Sequence, residues 1–118
     1  MYRMPAEYAP HRATLMIWPV RPGSWGKDPG AAQAAFLRVF EAVTQSEDLY
    51  LLAGPEEIEQ ARAATACLDP GRLHLLCIDS DDAWARDVGP TFVQNEAGQL
   101  KGISWRFNAW GGEVDGLY

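Results

Sequence analysis

Cysteine and histidine are both scarce in this chain of 118 residues, with two of each. Cys67 and Cys77 are too few for a disulfide framework, and their spacing matches no common zinc pattern, so a reducing, cytoplasmic setting without a metal is expected. His11 and His74 have no acid or cysteine beside them at ligand spacing, and read as structural or surface side chains. Basic residues are short as well. Ten Lys and Arg against sixteen acids give a formal charge of -6 and a pI near 4.7. A phosphate-backbone binder needs clustered Lys and Arg, so nucleic acid is excluded as a partner, whereas an acidic surface tolerates a cationic ligand. No run of about 18 apolar residues is present, which rules out a membrane-spanning helix. The opening Met1-Tyr2-Arg3-Met4-Pro5 lacks the apolar stretch of a secretory signal. The dinucleotide, Walker, nucleophile-elbow and zincin signatures are all missing.

What is present suits one globular domain: 47% hydrophobic and 22% charged residues over a length that holds a single core. Residues 13–18 form a short apolar run stopped by Pro19, which predicts a strand. Residues 19–30 are rich in Pro and Gly and read as a loop; Trp25 within it either packs back on the domain or walls a pocket. Phe36, Val39, Phe40 and Val43 recur at helical spacing and predict a helix over 31–47 with one apolar stripe. Residues 49–53 predict a strand, 55–67 a second helix opened by Pro55, Glu56 and Glu57, and 72–78 a strand covered on both faces. Residues 91–94 and 101–107 flank a turn and read as a hairpin. The order β-α-β-α-β followed by a hairpin predicts an α/β fold with a mixed sheet. Residues 108–118, rich in Gly and aromatics, read as a site loop.

Chemistry concentrates in Asp79-Ser80-Asp81-Asp82-Ala83-Trp84-Ala85-Arg86-Asp87, just after a strand end, where open α/β sheets carry their ligand loops. An EF-hand count from Asp79 fails, because Trp84 and Pro90 fall where Gly and Glu are required. A flat, delocalised cation is matched by a carboxylate that accepts two N–H bonds and by an aromatic face lying against its plane. Asp87 and Trp84, three apart, could supply both. The plain alternative is a solvated acidic loop in which Arg86 neutralises a neighbour and Trp84 fills core.

Four stretches resemble the agmatine deiminases of the guanidine-modifying superfamily, which also holds the peptidylarginine deiminases. They are Met4-Pro5-Ala6-Glu7-Tyr8-Ala9-Pro10-His11; Met16-Ile17-Trp18-Pro19 with Arg21-Pro22 and Trp25; Asp82-Ala83-Trp84-Ala85-Arg86-Asp87-Val88-Gly89-Pro90-Thr91-Phe92-Val93; and Phe107-Asn108-Ala109-Trp110-Gly111-Gly112. The resemblance implies a pentein fold, an α/β propeller of ββαβ-type modules, of which residues 1–118 would be the N-terminal one to two. It implies hydrolysis of agmatine to N-carbamoylputrescine and ammonia on a route to putrescine, with no cofactor, through attack of a Cys thiolate on the guanidinium carbon. Asp87 then matches a guanidinium-binding catalytic carboxylate, Trp84 the tryptophan on the substrate's flank, and Trp110 a further pocket residue. Neither Cys67 nor Cys77 has the setting of the nucleophile, and neither histidine has the family's His-x-Asp pattern.

Three outcomes follow as expectations. The parent is an agmatine deiminase; or the chain is a non-catalytic fragment or guanidinium- or amine-binding module; or the parent is of the peptidylarginine deiminase type. The few bases after Asp87, Lys101 and Arg106, favour a diamine-like tail over a carboxylate. A lone module, with helix stripes and sheet edges uncovered, is expected to self-associate, and its parent to be a homo-oligomer.

Overall fold

The structure is a computed structural model that describes residues 1–111. It divides into two compact units, one of His11–Ala85 and one of Met1–Pro10 with the chain from Arg86 onward.

The first unit is built on a parallel sheet of β2 (Ala13–Ile17), β3 (Asp48–Ala53) and β4 (Leu73–Cys77), in that spatial order; β1 belongs to the second unit. The short helix α1 (Pro22–Trp25) and the long helix α2 (Gly30–Val43) join β2 to β3, and α3 (Ile58–Ala64) joins β3 to β4. Parallel crossovers share one hand, so strands laid down in simple sequence put both connecting helices on the same face. Register places Met16, Leu51 and Leu75 side by side on that face, and Tyr50 beside His74 on the other. Leu49, Leu51 and Ala53 pack there against Phe40 of α2, Ala61 of α3, Trp18 and Leu68. Removing a Leu or Phe side chain from water contributes about 1.5–3 kcal/mol each, which makes this layer the core.

The stripe of α2 differs in one position from its predicted form. Phe36, Leu37, Phe40 and Val43 face the sheet, while Val39 is 47% exposed. The helix also ends at Val43, four residues before the predicted boundary. Thr44 is the stop: its hydroxyl donates to the carbonyl of Phe40 at 2.9 Å, and the chain leaves the helix there. Likewise α3 begins after the Gly54–Glu57 turn and ends at Ala64, where the hydroxyl of Thr65 donates to Ala61 O at 2.8 Å.

Two further expectations are corrected. The 72–78 strand is not covered on both faces: Cys77 is exposed, and Leu76 and Ile78 stand 37% and 49% exposed. The 19–30 loop contains α1, a single turn opened by Pro22, whose fixed φ suits the first helical position, and ended by Gly26 at φ +77°.

The second unit is an antiparallel sheet in the order β1 (Tyr2–Arg3), β5 (Thr91–Asn95), β6 (Leu100–Ile103), preceded by the short helix α4 (Ala85–Val88). The hairpin is as predicted, except that its second strand ends at Ile103 rather than 107. Its turn is fixed by Asn95, whose Oδ1 accepts the amides of Ala97 and Gln99, with Gly98 at φ +76°. Lys101 places its ammonium 4.3 Å from the Tyr2 ring centroid. The parallel and antiparallel pairings expected of one mixed sheet are thus shared between two sheets, each of one kind. Of the 108–118 loop, residues 112–118 lie outside the described residues; a 3-10 turn spans Ala109–Gly111.

Candidate functional site

Beyond β4 the chain turns back on itself through its own acids. Asp79 accepts the amide of Ser80 at 3.0 Å, and the Ser80 hydroxyl donates to the carbonyl of Asp82 at 2.9 Å. Asp82 is the buried member of the cluster, 7% exposed. Its carboxylate accepts the Ala83 amide at 2.8 Å and the hydroxyl of Ser24 from α1, and lies 3.7 Å from the Arg21 guanidinium. These contacts tie the segment before Trp84 to α1 across 58 residues of sequence, a function of Asp82 that its acidic neighbours concealed. Asp82→Asn should cost about 1–3 kcal/mol of stability, because a buried acceptor becomes a mixed donor and acceptor beside Arg21. A lowered urea midpoint with unchanged m-value would register that loss.

Trp84 itself is 43% exposed, so it does not fill core as the plain alternative required. One neighbour is Trp25, at 5.5 Å between ring centroids and 32° between planes; Trp25 in turn meets Phe36 edge-on at 5.6 Å. Of the two readings of Trp25, packing back onto its unit is the one observed.

Asp87 lies in α4, in the second unit, and its side chain is solvent-exposed. Oδ1 accepts the indole N–H of Trp110 at 3.0 Å. Trp110 adopts φ +59° and ψ +26°, a left-handed conformation rare for a bulky residue, and Phe107 packs edge-on to it at 5.2 Å. Arg86 does not neutralise Asp87. Its guanidinium pairs with Glu7, brought from 79 residues away, and among the described residues Asp87 has no ion-pair partner. Asp87 and Trp110, both predicted as site residues, are therefore brought together; Trp84 belongs to the other unit.

A cleft of about 50 Å³ at the C-terminal ends of the parallel strands is lined by Trp18, Gly54, Glu57, Ile78, Asp79 and Ser80, among others. Each histidine has found an acid that local sequence could not reveal: His74 Nε2 lies 3.0 Å from Asp48 and stacks on Tyr50, and His11 lies 3.8 Å from Glu47. These pairs gather at the start of β3, the end of the sheet opposite the cleft. Cys67 lies beyond the end of α3 rather than in a helix, and Cys77 is exposed rather than buried. Among the described residues no three of His, Cys, Asp and Glu converge as metal ligands would, and no helix is long and apolar enough to cross a membrane.

Comparison with known proteins gives this geometry a context. The agmatine deiminase of Stutzerimonas stutzeri is 49% identical over 117 residues, covering 99% of this chain and 31% of the relative. That of Pseudomonas aeruginosa (strain LESB58) is 47% identical with the same coverage. Among solved structures, the agmatine deiminase of Enterococcus faecalis superposes with a TM-score of 0.87 at 38% identity, over 99% of this chain and 31% of that one. The chain thus spans about a third of the length of the curated relatives it matches. The family model for Porphyromonas-type peptidyl-arginine deiminase matches residues 3–117, and the chain belongs to that family.

Proposed function

We propose that this chain is the N-terminal part of an agmatine deiminase, and that Asp87, Trp84 and Trp110 contribute to the pocket for the guanidinium group. The carrying observation is the state of Asp87: exposed, held by one N–H bond from Trp110, and without a cation among the described residues, where Arg86 is engaged by Glu7. An uncompensated carboxylate held in place is what a guanidinium requires, since charge-assisted bonds to it are stronger than neutral ones. Trp84, 43% exposed, supplies the aromatic face. The carboxylate would hold the guanidinium nitrogens while a Cys thiolate from elsewhere in the enzyme adds to the guanidinium carbon. Ammonia leaves, and water then releases the amidino group as N-carbamoylputrescine. Neither Cys67 nor Cys77 is a candidate for that thiolate.

Agmatine is preferred to a peptidyl arginine because the only bases that follow Asp87 in the sequence are Lys101 and Arg106. Lys101, the nearest following base in the sequence, already lies over Tyr2. The β1-β5-β6 sheet exposes Phe92 and Leu100 on one face and Ile103 on the other, surfaces that further modules of a pentein propeller would cover. Tyr50, Leu76 and Ile78 leave a second such surface on the parallel unit. The isolated chain is therefore expected to associate with itself, and sedimentation should find species heavier than 13.1 kDa; a monomer across the micromolar range would refute this.

The function is tested by incubating the full enzyme that carries this sequence with agmatine, and following ammonia and N-carbamoylputrescine. Turnover supports the reading. Release of ammonia from peptidyl arginine but not agmatine would move the enzyme to the other activity, and absence of both would leave a binding module.

A further inference from the structure

We infer that Trp25 is a positioning residue for the substrate, acting through Trp84; this rests on the reading of Trp84 as the aromatic flank of a guanidinium site. A cation is held by an aromatic face only when it sits within about 6 Å of the ring centroid and over the plane, so the tilt of the ring decides the affinity. An exposed indole on a connecting segment has several rotamers, and something must select one.

Two independent contacts do so here. The first is the ring pair itself, 5.5 Å between centroids and 32° between planes, with Trp25 fixed on its other side by the edge-on contact to Phe36 at 5.6 Å. Phe36 continues into Phe40, 6.0 Å away and fully buried, so the stack is anchored in the core. The second is Asp82, which ties together the two segments that carry the indoles. It takes the Ser24 hydroxyl next to Trp25, and the Ala83 amide next to Trp84. Trp25 thus reaches from the end of α1 to the site segment with its base locked.

The indole nitrogen of Trp25 identifies which property of the side chain matters. Nε1 is buried, and among the described residues it has no acceptor. A buried donor left unmade is a cost, so hydrogen bonding is not what places tryptophan here. Its contribution is the broad flat face that meets Trp84. A smaller ring would still stack, and an aliphatic side chain would fill the space without orienting anything.

In the full enzyme, Trp25→Leu and Trp25→Ala should each raise KM for agmatine about tenfold with kcat within about threefold, the signature of lost binding common to ground and transition states. Trp25→Phe should recover most of that affinity. Trp25→Leu keeps more apolar volume than alanine and guards against misfolding of the alanine variant, with thermal melting as the check. The decisive arm is the double variant: in a Trp84→Ala background, Trp25→Leu should change KM by less than about twofold, because its route of action is gone. Additive effects of the two substitutions, or a Trp25→Leu enzyme with wild-type KM, would overturn the inference while leaving the activity standing. A wild-type enzyme inert toward agmatine would overturn the activity and this inference together.

Discussion

Asp87→Asn in the full enzyme should lower kcat/KM for agmatine by about 30- to 1,000-fold, equivalent to about 2–4 kcal/mol of lost interaction with the cation. Asparagine is the informative choice because it removes charge and little else. The amide keeps an oxygen that can accept the Trp110 N–H, now made at 3.0 Å, so the strained turn around Trp110 keeps its anchor. The Arg86–Glu7 pair does not touch Asp87 and stays in place. What is lost is one of two acceptor oxygens and the negative charge that opposes the guanidinium. If, as proposed, the carboxylate also keeps the guanidinium carbon in line for attack, the loss should appear in kcat as well as KM. Modification of the enzyme's nucleophilic thiol by a small alkylating reagent should continue at the wild-type rate, because that chemistry does not need Asp87. Near wild-type turnover in Asp87→Asn would remove this residue from the site.

The contrast between Asp87 and Asp82 shows where local sequence stops being informative. Both are acids in one short run, and nothing in their spacing tells them apart. One becomes a buried structural acceptor because Ser24 and Arg21 arrive from 58 and 61 positions away; the other stays exposed because Glu7 draws off the adjacent arginine. Elements with strong periodic signals were legible: β3, the body of α2 and the hairpin turn at Asn95 were all expected. Their ends were not, since Thr44 and Thr65 close helices by bonding backward to carbonyls. The edge position of β4 was illegible for another reason. Leu73–Cys77 is apolar enough for a central strand, and the strand order leaves it without a second neighbour among the described residues. The candidate residues themselves were found through motif strings; Trp25's part required knowing that α1 returns to residue 82.

Phe40→Ala should be the most destabilising single change in the parallel unit, at about 3–5 kcal/mol, against a total for a domain of this kind of about 5–15 kcal/mol. Phe40 has no exposed surface; its ring meets Trp18 at 6.2 Å between centroids and packs edge-on with Phe36 of the same helix at 6.0 Å. Truncation would leave a cavity under a helix whose neighbours cannot collapse to fill it: Trp18 is held by its indole bond to Gln60, and Gln60 by Gln33 of the same helix. Phe40→Leu retains most of the volume and should cost about 1.5 kcal/mol or less. Val39→Ala, one residue earlier but 47% exposed, should stay within about 0.5 kcal/mol, which separates loss of packing from loss of helix propensity. Urea unfolding followed by tryptophan fluorescence measures all three, and the indole pair adds a local probe. If Phe36 and Phe40 anchor Trp25, the Phe40→Ala protein should show altered Trp84 emission well below its unfolding midpoint, whereas Val39→Ala should not. A Phe40→Ala protein as stable as Phe40→Leu would mean that α2 is held by something other than this aromatic contact, and the path from core to Trp84 would be broken at its first step.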